Sequence, residues 1–333
     1  MCAIRTVAAY ESVMKAAIVR KAGQTPIYAD FMEPTPVSDE IRVTVTAAAL
    51  SPLVRGRAAG THYTASDQFP FVVGFDGVGR LDDGKRAYFM LTRAPYGTMS
   101  ERTVVRPAHC VAIPDGLDDV TAAAIANPGM SSWVAYTDRA KLKAGETVLV
   151  NGATGAAGRL AIQIAKHLGA KKVIATGRNA DTLRSVAGLG ADVTIPLGES
   201  ETTLENSFEE QFADRVDVVI DYLWGKSAEG LLKAAAKAGA VPVRFVQVGA
   251  SSGREITLSG ATLRSSAIEL MGSGLGSVPI HRFMNAIDAL LKATVPCGFK
   301  IATKSVPLSD VERAWPDDGA AGRMVFTVDQ PNS

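Results

Sequence analysis

Three glycines, Gly152, Gly155 and Gly158, follow the apolar run Thr147 to Val150 and precede a helical pattern. Glycines in such a turn let the backbone approach a pyrophosphate, and the helix N-terminus adds unpaired N–H groups with partial positive charge. The spacing differs from the usual G-x-G-x-x-G string, so the strand before it and the helix after it carry the interpretation. The residues expected at the phosphates are Gly152, Ala153, Thr154, Gly155, Ala156, Ala157 and Gly158. The alternative is a glycine-rich turn that binds nothing.

The end of the next apolar run indicates which dinucleotide is bound. About 20 residues beyond the last glycine, an NAD site places an acidic residue on the ribose 2′-hydroxyl. This chain has Thr176, Gly177, Arg178 and Asn179 there, with no acid. A guanidinium can make a bidentate, charge-assisted contact to a 2′-phosphate, which favours NADPH over NADH. The alternative is that Arg178 is a solvated surface arginine.

Further candidates lie at the ends of the fourth and fifth apolar runs. In an open α/β sheet, the ligand binds outside the carboxyl ends of the strands, at the point where strand order reverses. The residues at those ends are Tyr222, Val248, Gly249, Ala250 and Ser251. Tyr222 and the nearby Trp224 could equally be packing aromatics at a domain seam.

Two other motifs are rejected as sites. The stretch 249–253 fits the G-x-S-x-G nucleophile elbow, but that motif requires a helix directly after it, and the following REITLSG is β-like. The tripeptide Gly225-Lys226-Ser227 ends like a Walker motif, but position 220 is Ile where that motif begins with glycine. We expect neither a serine hydrolase nor a P-loop protein.

The elements that position these residues change in character after about Pro114. Six short apolar runs, separated mostly by helix-length segments, predict a parallel sheet with crossover helices. These runs are ETVLVNG, KKVIATG, ADVTIP, VDVVIDY, VRFVQVG and AIELMGS. Before Pro114, the alternating run 41–50 and recurrent glycines predict a mostly β half, which short strands near the C-terminal end could rejoin.

Composition excludes several classes of protein. The 333 residues are enough for two domains, and 47% hydrophobic with 21% charged residues is far from a disordered composition. A net charge of +1 without a basic run gives no reason to expect nucleic acid or anionic lipid as a partner. No apolar stretch reaches the roughly 18 residues of a membrane span, and Glu11 interrupts the start, so we expect a cytoplasmic protein.

Cysteine and histidine usage indicates that no metal is bound. Cys2, Cys110 and Cys297 show neither pairing nor C-x-x-C spacing, and the histidines are dispersed without an HExxH motif. We expect reduced thiols and no metal site.

An ordered series of motifs runs through nearly the whole chain. It comprises Met14-Lys-Ala, Arg57-Ala-Ala-Gly60-Thr-His62-Tyr63, Phe69-Pro70, Gly74, Asp76, Gly79, the segments 127–133 and 143–150, the glycine loop and Gly322-Arg323-Met324-Val325. The series resembles the quinone oxidoreductase branch of the medium-chain dehydrogenase/reductase superfamily, which works without zinc.

The resemblance implies an α/β fold in two domains. A GroES-like, mostly β substrate domain would comprise 14–124 and 278–333, and a Rossmann NADPH-binding domain with a doubly wound parallel sheet would span 125–277. Residues 1–13 would be an N-terminal extension. The resemblance further implies a substrate cleft at the domain junction, a homodimer joined through the Rossmann sheets, and Ser131 as an additional cofactor-binding residue.

The chain differs in sequence from the zinc-dependent members of the superfamily and also from the branch that it resembles. Where those relatives carry zinc ligands, it has Ser51, Phe75 and Asp76, and the four-cysteine lobe is absent. Within the branch, the common Asn-Pro-x-Asp is replaced by Ser51-Pro52-Leu53-Val54, and Pro196-Leu197 follows the third strand in place of the frequent Tyr or Asn. The resemblance therefore implies a metal-free enzyme whose contacts in these loops differ from those of its relatives.

The absence of a Lewis acid points away from simple alcohols. Quinones and α,β-unsaturated carbonyls accept hydride at carbon, while the charge developing on a delocalised oxygen can be stabilised by a hydrogen-bond donor. The candidate donor is Tyr63, with Ser51 and Arg55 as supporting polar groups; alternatively, Tyr63 is only a cleft-wall aromatic. Carbonyl reduction, enoyl-thioester reduction and NADPH binding without turnover stay open as alternative functions.

Overall fold

The computed structural model describes residues 12–317, 319 and 322–329. They form two compact units, one from the described residues up to Ala124 and from Ala302 onward, the other from Ile125 to Ile301. The extension expected at residues 1–13 lies outside the described residues except for positions 12 and 13, and Val13 already begins a strand.

Sixteen β-strands run through the described residues. They are β1 (Val13–Val19), β2 (Ile27–Met32), β3 (Ile41–Ala49), β4 (Phe71–Val72), β5 (Asp76–Leu81), β6 (Arg86–Met90), β7 (Arg102–Val105), β8 (Cys110–Ala112), β9 (Thr147–Asn151), β10 (Lys172–Gly177), β11 (Val193–Pro196), β12 (Val218–Asp221), β13 (Val243–Gln247), β14 (Ile268–Gly272), β15 (Thr303–Pro307) and β16 (Arg323–Thr327).

The described residues also contain nine α-helices. They are α1 (Pro52–Ala58), α2 (Asp119–Val134), α3 (Ala156–His167), α4 (Ala180–Ser185), α5 (Glu201–Asp214), α6 (Gly225–Lys237), α7 (Gly260–Arg264), α8 (Ile280–Thr294) and α9 (Val311–Ala314). Shorter turns of other helix types occupy Pro107–His109, Ala135–Ala140, Val186–Leu189 and Leu308–Asp310. Within the described ranges, no helix combines the length and apolar character needed to cross a bilayer.

The first unit is built from two sheets. One has the order β2-β1-β4; the other runs β15-β16-β3-β5-β6-β8, with β7 also paired to β3. The alternation in β3 buries Val43 and Val45 completely and leaves the intervening threonines partly exposed, as the sequence predicts. Strand β16 pairs antiparallel with β3, with Val325 opposite Ala49, so the end of the chain returns to this unit.

The second unit is a six-stranded sheet with the order β11-β10-β9-β12-β13-β14, and every neighbouring pair is parallel. All six apolar runs predicted as strands are confirmed. Numbered within the unit, the order is the 3-2-1-4-5-6 of a doubly wound Rossmann sheet, so it reverses between β9 and β12. Together with the mostly β first unit, this confirms the predicted fold class.

Side chains from neighbouring strands and the helices that cover them make the second unit rigid. Leu149, Ile174, Val219 and Phe245 project from four adjacent strands into a fully buried cluster that also contains Phe208 from α5. Burial of each such side chain contributes about 1.5–3 kcal/mol. A closely packed core therefore supports the strands whose carboxyl ends form the candidate site.

Helix α8 lies with the second unit, which differs from the boundary expected between residues 277 and 278. A Cβ on Gly129 of α2 would lie 2.5 Å from Leu290 Cδ2, so α2 and α8 are closely packed. Lys300 also exchanges two hydrogen bonds with the side chain of Gln163, at 2.7 and 3.0 Å. An amphipathic pattern in the sequence shows that one face of α8 is buried but not which unit covers it.

Candidate functional site

Two of the three loop glycines are required by the packing of the protein itself. Gly152 has φ +90°, and a Cβ on it would lie 2.8 Å from Leu223. A Cβ on Gly158 would lie 2.3 Å from the Gly152 carbonyl oxygen, so only glycine lets α3 approach the loop this closely. The Gly152 N–H donates a hydrogen bond to Thr176 Oγ1 of β10 at 3.1 Å, which ties the loop to that strand.

Gly155 differs from the other two glycines. Its backbone is extended, at φ −76° and ψ 167°, and a Cβ on it would meet no protein atom within 4 Å. It is the N-cap of α3, and no side chain caps this helix end. The first N–H groups of a helix have no intrahelical acceptor, so Gly155, Ala156 and Ala157 border an open cradle of the kind that binds a phosphate.

The end of β10 lies against this loop. A Cβ on Gly177 would be 2.5 Å from Thr154 Cγ2, so the loop crosses the strand end at close contact. Arg178 follows directly and is exposed, and within the described residues no hydrogen bond or ion pair holds its guanidinium. Asn179 Oδ1 accepts from the Thr182 N–H at 2.8 Å and caps α4. Arg178 is thus available to a ligand, whereas the Asn179 side-chain oxygen is already used.

A buried polar network joins three strand ends beneath the loop. Asn151 Nδ2 donates to Asp221 Oδ1 at 2.8 Å and to Ser227 Oγ at 3.0 Å, and Thr176 Oγ1 donates to Asn151 Oδ1 at 2.6 Å. Burial raises the pKa of Asp221, while hydrogen bonds from the Trp224 and Leu223 N–H groups and from Asn151 oppose that shift. The network fixes β9, β10 and β12 relative to one another at the point where strand order reverses.

Sequence reasoning missed Asn151 and Asp221 as parts of the site. Each is the last residue of an apolar run, and both are fully buried. The available signal was a polar residue at the end of each of two apolar runs. The sequence alone does not show that these two residues form a pair, because that requires knowing that β9 and β12 are neighbours.

Tyr222 follows β12 and is tied to the helix that precedes β9. Its hydroxyl lies 2.7 Å from Ser132 Oγ. Burial raises the pKa of Tyr222 to about 12, although hydrogen bonds to Ser132 and Ser131 act in the opposite direction. The phenol therefore stays protonated at neutral pH. Trp224 instead packs edge-on against Phe245 at 6.5 Å between ring centroids, which fits the packing interpretation for that residue.

The segment after β13 is fastened to the end of β12. The Val248 and Gly249 N–H groups both donate to the Asp221 carbonyl, at 2.8 and 3.1 Å, and Ser251 Oγ donates to the Tyr222 carbonyl at 3.0 Å. A Cβ on Gly249 would lie 2.8 Å from the Tyr222 carbonyl oxygen. Ala250 and Ser251 are left exposed. The structure thus brings the candidates at the fourth and fifth strand ends together.

One local expectation in this region is wrong. Residues 254–259 were expected to be β-like, and they form neither strand nor helix; α7 begins only at Gly260. No helix follows the G-x-S-x-G stretch directly, so the stretch does not have the form of a nucleophile elbow.

In the first unit, two candidate catalytic residues have structural partners. Ser51 is buried and caps α1, its Oγ accepting from the Val54 N–H at 3.1 Å. The Arg55 guanidinium donates to the carbonyls of Trp315 and Asp317 and lies over the Trp315 ring at 5.5 Å. These bonds position α1, and a catalytic role for either residue stays a prediction.

Tyr63 and His62 form an exposed aromatic pair. Tyr63 is 72% exposed, and its ring lies 4.3 Å from that of His62. The Thr64 N–H donates to His62 Nδ1 at 3.2 Å, and burial together with the nearby Arg57 lowers the pKa of His62. His62 is therefore a neutral imidazole whose Nε2 carries the proton. Sequence reasoning passed over it as one of several dispersed histidines.

Phe75 and Asp76, at the positions where zinc-dependent relatives carry metal ligands, have other contacts in this structure. Phe75 is buried, and Asp76 accepts a hydrogen bond from the Tyr88 hydroxyl at 3.0 Å. Burial raises the pKa of Asp76 to about 6, against the opposing influence of Arg323 and Tyr88. The described part of the chain contains no cluster of three or more His, Cys, Asp or Glu side chains suited to a metal.

Comparison with known proteins shows which proteins this chain resembles. Residues 156–292 match the family model described as "Zinc-binding dehydrogenase". The probable NADPH-dependent quinone reductase tdiC of Emericella nidulans is 29% identical over 345 residues, covering 91% of this chain and 96% of the relative. The chloroplastic NADPH-dependent alkenal/one oxidoreductase of Arabidopsis thaliana is 28% identical over 279 residues, or 76% and 69% of the two chains.

A solved structure shares the fold over nearly the full chain. The structure of a mycobacterial quinone oxidoreductase superimposes with a TM-score of 0.82 at 22% identity, covering 94% of this chain and 99% of that one. At this level of identity the likeness concerns the fold.

Proposed function

We propose that this chain, which belongs to the quinone oxidoreductase-like branch of the medium-chain dehydrogenase/reductase superfamily, is an NADPH-dependent reductase of quinones and α,β-unsaturated carbonyls. The observation that carries the proposal is the cradle at Gly155. It is the one loop glycine for which the described residues give no steric or conformational reason, and it lies at a helix N-terminus beside the point where strand order reverses.

The residues around the loop fit the parts of NADPH. The N–H groups at the start of α3 would bind the pyrophosphate, and Arg178 would pair with the 2′-phosphate. Tyr222 and the residues from Val248 to Ser251 border the strand ends that would face the nicotinamide half. When bound, NADPH supplies the hydride, and the chain supplies orientation and electrostatics.

The relatives support the choice of cofactor and substrate class. Both curated relatives named above are NADPH-dependent by their descriptions, and they act on quinones or on alkenals and alkenones. The exposed Arg178 after β10, where an NAD site carries an acid, points to the same cofactor.

We further propose that catalysis proceeds without zinc. Phe75 offers no ligand atom, and Asp76 is held by Tyr88 in a buried site. The charge that develops on a delocalised substrate oxygen would then be met by a hydrogen-bond donor. Tyr63 is the candidate for this role, and the Nε2–H of the adjacent His62 is a second donor that the structure adds.

We also propose a homodimer joined through the parallel sheets. Strand β14 is one of the two edge strands of the six-stranded sheet, and its Leu270 is 38% exposed. An exposed edge with apolar side chains is suited to pairing with a second copy.

Cys110 and Cys297 are free thiols, which fits a protein of the reducing cytoplasm.

The proposed function is tested by following NADPH oxidation against one quinone, one enone and one aliphatic aldehyde. We expect kcat/KM for the quinone or the enone to exceed that for the aldehyde by at least about tenfold, because only the former delocalise the developing charge. A preference for the aldehyde would indicate a carbonyl reductase. Binding of NADPH without turnover of any of the three would indicate a non-catalytic protein.

A further inference from the structure

A cavity of about 60 Å³ lies within the first unit, and we call it the Arg57 pocket. Helix α1, the segment 66–74 and the turn 92–96 enclose it. Its polar lining comes mainly from the side chains of Arg57, Ser66, Gln68 and Thr92. Of these four, only Arg57 has been mentioned above, as the charge that helps to lower the pKa of the neighbouring His62.

Arg57 differs from the other arginines nearby because, among the described residues, neither a hydrogen bond nor an ion pair holds its guanidinium. Arg55, on the same helix, is bonded to two backbone carbonyls, and Arg93, beside the pocket, is paired with Glu40 at 2.9 Å. Among the described residues, no carboxylate lies within ion-pair distance of the Arg57 guanidinium, and no hydrogen bond holds it. The guanidinium instead lies over the face of the Phe75 ring, with its carbon 5.8 Å from the ring centroid.

This environment is unfavourable for the protein alone. Arg57 is half-buried, and burial lowers its pKa. A cation partly removed from water is costly unless a counter-charge compensates it. The Phe75 ring compensates in part, and Arg57 lines the pocket with no hydrogen-bond or ion-pair partner among the described residues.

We propose that the Arg57 pocket binds a carboxylate group carried by the substrate, so that the natural substrate is an anionic enone or quinone. The planar guanidinium matches a carboxylate in a two-bond geometry. Ser66 Oγ accepts from the Gln68 N–H at 3.1 Å, which leaves its hydroxyl proton for the ligand. A volume of about 60 Å³ corresponds to about two waters at their liquid volume, close to the size of one carboxylate.

The inference rests on the proposed function, and the experiment separates the two. Acetylacrylate, an enone with a carboxylate, is compared with its methyl ester as a substrate of wild type, Arg57→Gln and Arg57→Lys. Binding of levulinate, the saturated carboxylate analogue, is measured in parallel by ligand-observed NMR, which requires no turnover. Arg106→Gln, which removes an exposed arginine paired with Asp39, is the control for loss of one positive charge.

We expect Arg57→Gln to raise KM for acetylacrylate about ten- to a hundredfold, the range of one charge-assisted interaction, and to change KM for the ester less than about twofold. Arg57→Lys should retain part of the discrimination, levulinate binding should weaken in parallel, and Arg106→Gln should behave as wild type. If Arg57→Gln is too unstable to assay, Arg57→Lys carries the comparison.

Equal changes in KM for acid and ester, or levulinate binding that does not respond to either Arg57 variant, overturn the Arg57 pocket and leave the proposed function intact. If wild type reduces neither these enones nor a quinone but levulinate binding depends on Arg57, the proposed function fails and the pocket stands.

Discussion

Thr154 lies over Gly177 so closely that a Cβ on the glycine would be 2.5 Å from Thr154 Cγ2. This contact holds the glycine loop against the end of β10. Arg178 is the next residue after Gly177 and is exposed. The backbone that carries the proposed cofactor-selecting residue is therefore held by the loop that would bind the pyrophosphate.

We expect Arg178→Ala to abolish the preference for NADPH. The loss of one charge-assisted bidentate pair of about 1.5–3 kcal/mol should raise Kd for NADPH about ten- to a hundredfold and leave Kd for NADH nearly unchanged. Fluorescence titration of both cofactors measures the change. Arg184→Ala is the matched control, since Arg184 is an exposed arginine of the following helix that pairs with Asp181. Wild type that binds both cofactors equally would refute the assignment.

Gly155→Val should abolish NADPH binding without loss of fold. The cradle has room for the added side chain in the apo protein, where a Cβ meets no atom within 4 Å, and the methyl groups would occupy the space of the pyrophosphate. The thermal unfolding midpoint should stay within about 2 °C of wild type, because no buried contact changes. Cofactor titration and thermal unfolding are both needed.

Gly152→Val is the contrasting variant in the same loop. Its φ of +90° and the 2.8 Å approach of a Cβ to Leu223 predict a lower unfolding midpoint by several degrees. If Gly155→Val binds NADPH like wild type, the phosphate site is elsewhere. If it unfolds as Gly152→Val does, the protein and not the ligand requires the glycine.

The purified protein should contain well under one zinc per chain. Ser51 caps α1, Phe75 is apolar and Asp76 is bonded to Tyr88, so the positions that resemble zinc ligands are otherwise engaged. Elemental analysis after preparation without added metal measures the content, and a chelator should leave the rate of NADPH oxidation unchanged. Stoichiometric zinc with chelator-sensitive activity would place the chain with the zinc-dependent relatives.

The buried carboxyl of Asp76 should make stability depend on pH. Its pKa is raised to about 6 in the folded protein, whereas an unfolded Asp titrates near 3.9. The folded state therefore binds more protons between about pH 4 and pH 6, so the free energy of unfolding falls as pH rises through this window, by about 3 kcal/mol at most. Above the window this group adds no further change.

Asp76→Asn isolates that contribution. The variant loses the titrating group, so the difference in unfolding free energy between wild type and variant, measured with urea between about pH 4 and pH 7, should fall as pH rises. Absolute stability is expected to fall as well, because Arg323 is buried and loses its favourable charge interaction with Asp76. The slope is therefore the diagnostic quantity, and an identical slope in both proteins would contradict the buried-carboxyl interpretation.

Local patterns in the sequence were sufficient to predict the six parallel strands, the loop between β9 and α3, and the position of Arg178 directly after β10. Each depends on neighbours within a single strand-turn-helix unit, where periodicity and turn chemistry are decisive. They were not sufficient for the Asn151–Asp221 pair, because that contact exists only when β9 and β12 are adjacent in the sheet.

The same limit explains two other differences. The helical pattern at 280–294 shows an apolar face, but its place beside Gly129 depends on tertiary packing. Likewise, the three loop glycines look equivalent in the sequence, and only the atoms around each one separate Gly155 from Gly152 and Gly158.

The most direct test of hydride transfer uses NADPH that carries deuterium on one face of the nicotinamide C4, with an enone as acceptor and NMR of the product. With one of the two stereoisomers of labelled NADPH, deuterium should appear on the product carbon β to the carbonyl, and with the other it should be absent from the product. Deuterium on the carbonyl carbon would instead show a carbonyl reductase. No transfer from either stereoisomer and no oxidation of NADPH by a quinone, despite NADPH binding, would contradict the proposed enzyme altogether.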